Sequence, residues 1–281
     1  MPWLQQSFQE NTIVWLLISS VLGGIIGASV HFLFDFLLPQ QAQQRREVIS
    51  VKRKYATPVL LAAAELRGRL GNMIRFIERV QREQWLNPDV LSGYYYASTL
   101  YVVGKFFGWL QILRRTIIYI DFTSVKETRQ FENFLKAIED GFTDPDLLAP
   151  SVTGLPEQTA DKWIYTYWMQ AMGELMIIRD GDDYRTLDYA TFYKNYKQPD
   201  NADFRNWFSQ MEQLFAKLTA DEPRFKRIVA THAFLNAFVN FIDPKHLRTR
   251  QRPDHLSLLS TEEAKRIESR IEHIIADKQN A

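Results

Sequence analysis

The chain has 281 residues, no cysteine, 46% hydrophobic residues and a formal charge of +1. The apolar fraction suits a packed core and excludes wholesale disorder, while the lack of cysteine excludes a disulfide framework, thiolate metal sites and a thiol nucleophile. Near-neutral charge argues against a protein built around nucleic acid, and the length admits one large domain or two modest ones.

Residues 11–34 carry no formal charge and are interrupted only by His31. As a helix they would span about 36 Å, enough for a hydrocarbon core of about 30 Å. The Leu, Ile, Val and Phe side chains between Ile13 and Phe34 favour insertion by about 4 to 8 kcal/mol before small and polar residues subtract. No Lys or Arg precedes the run, which is too long for a signal-peptide core, so a retained anchor is expected over residues 1–38. Gly23 and Gly27, with Ser19, Ser20, Gly24 and Ala28, form a small-residue stripe suited to close helix pairing, hence a homo-oligomer. His31 and Asp35 sit one turn apart, which suits a local hydrogen bond.

A basic juxtamembrane linker is read over residues 39–57, carrying Arg45, Arg46, Lys52, Arg53 and Lys54. Residues 39–84 hold ten basic and four acidic residues, net +6. Positive charge on this flank alone puts the N-terminus outside and the remainder in the cytoplasm, beside anionic headgroups of the inner membrane.

Residues 58–281 read as a cytoplasmic multi-helix, bundle-like domain, and the fold class as all-α. Thr57 and Pro58 suit an N-cap and first turn, followed by the stripe Leu66, Leu70, Met73, Ile77 and Val80. After Asn87–Pro88 a helix runs to about Ile120, apolar nearly all round. Lys105 at its centre and Arg114–Arg115 at its end make it a buried core helix rather than a second span. Ser124 and Glu127 form a capping box for the next helix, with Gly141 as its stop. Thr159 opens a helix bearing Trp163, Tyr167, Trp168, Leu175 and Met176, and Asp200 precedes another bearing Phe204 to Leu218. Pro223 starts a helix with Phe225, Ile228, His232, Leu235 and Val239 on one stripe, and Ser260 with Glu263 boxes the last. No strand pair is expected; Gly181 reads as a helix end. Residues 142–158 and 243–258 form two long connections.

Three stretches, Tyr55–Arg69, Thr99–Arg115 and Ala171–Ile177, resemble a group of uncharacterised bacterial membrane-anchored helical proteins. The resemblance implies a bacterial inner-membrane setting and no particular activity.

Candidate chemistry is sparse. No two histidines have the spacing of a helical zinc site, and no glycine-rich phosphate loop, nucleophile elbow or dinucleotide fingerprint is present, so neither metal nor cofactor is expected. Asp180, Asp182 and Asp183 begin like a calcium loop, but Arg185 and Thr191 stand where glycine and glutamate are needed. Glu174 is expected near the core and paired with an arginine, with a raised pKa for catalysis as the alternative. Arg227 and His232, like Arg250 and His255, have the Arg-x4-His spacing of HEPN-type helical ribonucleases, although Ile228 departs from the polar residue usual after that arginine. His232 also completes an apolar stripe, which suits a hydrogen-bonded core histidine. The aromatics of residues 94–109 and 163–168 read as core. The sequence thus favours a non-enzymatic, membrane-tethered scaffold with an unidentified protein partner. Its alternatives are a tethered enzyme using Arg227 and His232 and a peripheral lipid-binding or membrane-shaping domain.

Overall fold

The computed structural model describes residues 38–87, 93–116, 125–148, 163–181, 183–216, 218–220 and 222–276, with side chains from Tyr55 onward, Val125 aside. Residues 1–37 of the expected anchor, with Gly23 and Gly27, lie outside these residues. No helix among them is long and apolar enough to cross a membrane. Two compact units divide the chain, Met1–Arg53 and Lys54–Ala281. Of the first, only the helical backbone of residues 38–53 is described.

The first described helix, α1 (Leu38–Arg75), contains Pro58 in its interior, which corrects the expected start at Thr57. A mid-helix proline forfeits one backbone hydrogen bond and costs about 3 kcal/mol. Helix-forming Gln, Ala, Arg and Lys residues precede it, and Val59, Leu60, Ala63, Leu66 and Leu70 are buried after it, which offsets that cost. Arg45, Arg46, Lys52, Arg53 and Lys54 lie on α1, and their side chains are outside the described set.

After the short α2 (Ile77–Arg82) comes α3 (Tyr94–Thr116), buried from Tyr96 to Leu113 on most sides. Its central cation is neutralised in place, since Lys105 Nζ donates to Glu65 of α1 at 2.7 Å. α4 (Val125–Thr143) follows, then α5 (Thr166–Leu175). The expected stop at Gly141 is corrected: α4 continues through it to Thr143. Gly141 instead marks a close approach, because a Cβ there would lie 2.6 Å from Thr231 Oγ1.

The one sheet among the described residues is a hairpin, β1 (Ile177–Asp180) and β2 (Asp183–Thr186), paired antiparallel with Ile177 opposite Thr186 and Asp180 opposite Asp183. This corrects the reading of Gly181 as a helix end: at φ +63° it occupies the turn, a conformation other L-residues rarely take. The strands are four residues each, too short for alternation to stand out against the preceding helix. A helix not expected, α6 (Tyr189–Lys197), starts where Asp188 accepts the Thr191 N–H at 2.9 Å. Where one helix was expected after Asp200, the chain breaks into α7 (Ala202–Asn206) and α8 (Ser209–Phe215). α9 (Pro223–Ile242) and α10 (Thr261–Ala276) begin as expected.

Packing follows from which faces are apolar. α9, buried nearly all round, lies against α4 through Phe238, whose ring is 5.5 Å from Phe131 and 6.3 Å from Phe134. α3 lies against α5 and the hairpin. Glycines set the closeness of that crossing: a Cβ on Gly173 would lie 2.8 Å from the Phe107 carbonyl oxygen. Phe107 and Phe142, 5.5 Å apart edge-on, join α3 to α4. Phe192, Phe204 and Phe208 of α6 to α8 form a ring cluster beside α3.

The α10 start is a reciprocal capping box. The Ser260 N–H donates to Glu263 Oε2 at 2.8 Å and the Glu263 N–H to Ser260 Oγ at 3.3 Å. Ser260→Ala should cost about 1 kcal/mol. Urea unfolding reads this directly, and an unchanged midpoint would show that the box contributes nothing.

Candidate functional site

The polar groups buried on α9 determine what the domain can do chemically. Arg227 is 4% exposed; its Nη1 donates to the Gly141 carbonyl and its Nη2 to the Asp144 carbonyl, both at 2.9 Å. The last carbonyls of a helix have no partner within it, and its C-terminal end favours a cation. Arg227 therefore closes the end of α4. Burial pulls its pKa down to about 10, with Asp144 acting in the opposite sense, so it remains charged at neutral pH.

His232 is five residues further on, about 140° around the helix. It faces α1, where a Cβ on Gly71 would lie 2.9 Å from Nε2. Its ring is 5.1 Å from that of His255. The side chain has no exposed surface, and neither ring nitrogen has a hydrogen-bond partner among the described residues. The expected burial is there; the expected hydrogen bond is not. Burial, then the charges of His255, Arg67 and Arg252, push its pKa down to about 3, so the ring is neutral. The His255 pKa is also lowered, first by burial and then by Arg75, against the opposing pull of Asp254.

Next to His232 the guanidinium of Arg67, 1% exposed, enters the same seam from α1. Nη1 donates to Asn236 Oδ1 at 3.1 Å and Nη2 to the Arg250 carbonyl at 2.6 Å, while Nε has no partner among the described residues. No carboxylate among the described residues forms an ion pair with it. Burial lowers its pKa, Arg252 lowers it further and Asp243 opposes. Gly68 leaves room for Arg252, whose Nη2 would be 3.3 Å from a Cβ there.

The connection from 243 to 255 closes the seam and is built around one carboxylate. Asp243 ends α9 and accepts the N–H groups of Leu247, Arg248 and Thr249 at 2.9, 3.0 and 2.9 Å, with the Thr249 hydroxyl at 3.0 Å. Burial raises its pKa, but these donors more than offset that and hold it below the ordinary carboxylate value. Arg248 Nη1 donates to Thr57 Oγ1 at 3.2 Å, and Asn236 Nδ2 to the Arg252 carbonyl at 3.4 Å. Lys245, Leu247, Arg248 and Arg250 are exposed on the outer side of this connection.

The structure thus brings His232 and His255 together with Arg67 and Arg252, but it does not bring Arg227 to His232. One meets α4 and the other α1. Glu174 is partly exposed and paired with Arg115, as expected. Of the acidic run, Asp180 and Asp183 pair across the hairpin end, and Asp182 lies outside the described residues. Aromatic burial is mixed: Phe106 and Phe107 are fully buried, whereas Tyr94 and Tyr167 are exposed. Among the described residues no three His, Asp or Glu side chains gather to hold a metal ion. Sequence reasoning missed Arg67, Asn236 and Arg252. Asp243–Pro244 after a long apolar helix was the one available signal, since a carboxylate there can bind the following N–H groups.

Compared with known protein families, curated proteins and solved structures, the chain matches none.

Proposed function

We propose that the chain is a membrane-tethered helical interaction module, anchored by residues 11–34 in a bacterial inner membrane. On this reading residues 58–281 lie in the cytoplasm, and the protein self-associates through Gly23 and Gly27 and engages a protein partner. The observation that carries the non-enzymatic part is the position of Arg227 and His232. The first is held by two carbonyls of the α4 end, and the second is sealed between α1 and His255. An Arg–His pair acting on a phosphate needs both groups on one open face. The uncharged run and the basic flank after it support the tether.

The test uses the full-length chain with a C-terminal tag in its native membranes. Extraction at high pH with carbonate should leave it in the membrane pellet; release to the supernatant would remove the tether. Gly23→Ile with Gly27→Ile should abolish cross-linked dimer, and an undiminished dimer would take the stripe out of the interface.

A further inference from the structure

The outer side of the 243–252 connection combines two features that folding does not require. The first is an apolar side chain held outward. Leu247 is 81% exposed, and its own N–H is fixed on Asp243 Oδ1. Arg248 and Thr249 are bound to the same carboxylate, so the tip is a preorganised turn. The second is an excess of positive charge held outside any ion pair. Lys245, Arg248 and Arg250 are exposed within three residues of Leu247, Arg252 is half-buried, and no carboxylate among the described residues forms an ion pair with any of the four. Asp243 is saturated by four donors, and Asp254 Oδ1 accepts the Leu256 N–H at 3.3 Å.

An exposed apolar side chain in a turn that also exposes three cations matches a specific chemistry. Lys and Arg side chains reach lipid phosphates while their stems and a central aliphatic group enter the headgroup boundary. A bilayer takes up both the cations and Leu247, whereas the turn has no Phe, Tyr or Trp on which the bases of a nucleic-acid strand could stack. We propose that the 243–252 turn docks on an anionic bilayer surface, with Leu247 in the headgroup boundary and Lys245, Arg248 and Arg250 on lipid phosphates. This deepens the tether reading by adding a second, reversible membrane contact, and it can be measured without the anchor.

The lack of native cysteine makes the test direct. Leu247→Cys, labelled with an environment-sensitive fluorophore, reports from one position of the full-length chain. The protein is reconstituted into bilayers of phosphatidylcholine alone or with a minority of phosphatidylglycerol, each doped with spin-labelled lipid. Quenching is expected only when phosphatidylglycerol is present, and it should fade as salt rises. Lys245→Gln and Arg250→Gln, both exposed positions, should each weaken the lipid-dependent signal about fivefold, equivalent to about 1 kcal/mol. Equal emission in the two bilayers overturns the proposal. So does shielding of the label by a bound protein without any lipid effect. Carbonate extraction reads the anchor separately: a chain that is extracted, yet is quenched by added phosphatidylglycerol vesicles, loses the tether and keeps the turn.

Discussion

Gly173→Ala is expected to destabilise the domain by about 2 kcal/mol, although alanine is the better helix former. The new methyl would meet the Phe107 carbonyl oxygen at 2.8 Å and its carbon at 2.9 Å, both backbone atoms of α3. Backbone on two packed helices cannot rotate away, so overpacking of about 3 kcal/mol is expected, against about 1 kcal/mol gained in propensity. Gly104→Ala is the contrast. Its methyl would meet Met176 side-chain atoms and Phe208 Cε1 at 3.1 Å, groups that can shift by a few tenths of an ångström. Its loss should be clearly smaller. Urea unfolding of both variants decides the matter, and a Gly173→Ala midpoint at or above wild type would mean that α3 and α5 are not held at this distance.

Acid should weaken the domain through His232. A histidine whose folded pKa is about 3, against about 6.5 when unfolded, binds its proton more readily in the unfolded chain. Its stabilising contribution is therefore complete above about pH 6.5 and is lost as pH falls from there toward 3. The slope approaches 1.4 kcal/mol per unit, so about 2 kcal/mol is gone at pH 5. His255, also lowered, acts in the same direction. Unfolding free energies at pH 7.5 and pH 5 test this, with His232→Phe expected to remove most of the difference. A difference that survives in the variant would assign the acid sensitivity to other groups.

Much of the helical order is legible from local signals. Pro223 at a first turn and the Ser260–Glu263 box placed α9 and α10, because a cap and its partner lie within four residues. The same signals misplaced the ends of α1 and α4. Pro58 looks like a start because the local cost of a mid-helix proline is visible in sequence, whereas the burial that offsets it is not. Gly141 looks like a stop because nothing nearby in sequence announces Thr231, ninety residues on, whose side chain requires the missing Cβ. The hairpin was hidden by length.

The candidate site shows the same limit more sharply. That His232 is buried follows from its stripe with Ile228 and Leu235. That it finds no hydrogen-bond partner among the described residues goes with its neighbours Gly71 and His255, which no spacing rule links to it. Arg67 sits in an apolar run like any surface arginine, and only its partners from α9 and the following connection reveal that it is inside.

Those partners also set a schedule. Asn236 and Arg250 are 169 and 183 residues after Arg67. At about 5–20 residues per second of synthesis, α1 is made roughly 10–40 s before the carbonyl that receives its guanidinium exists. Through that interval the surface of α1 at Arg67 and Gly71 has no α9 to meet it. The nascent chain thus passes through a stage in which α1 can meet α3 but not α9, and closure of the Arg67 seam waits until residue 250 has been made.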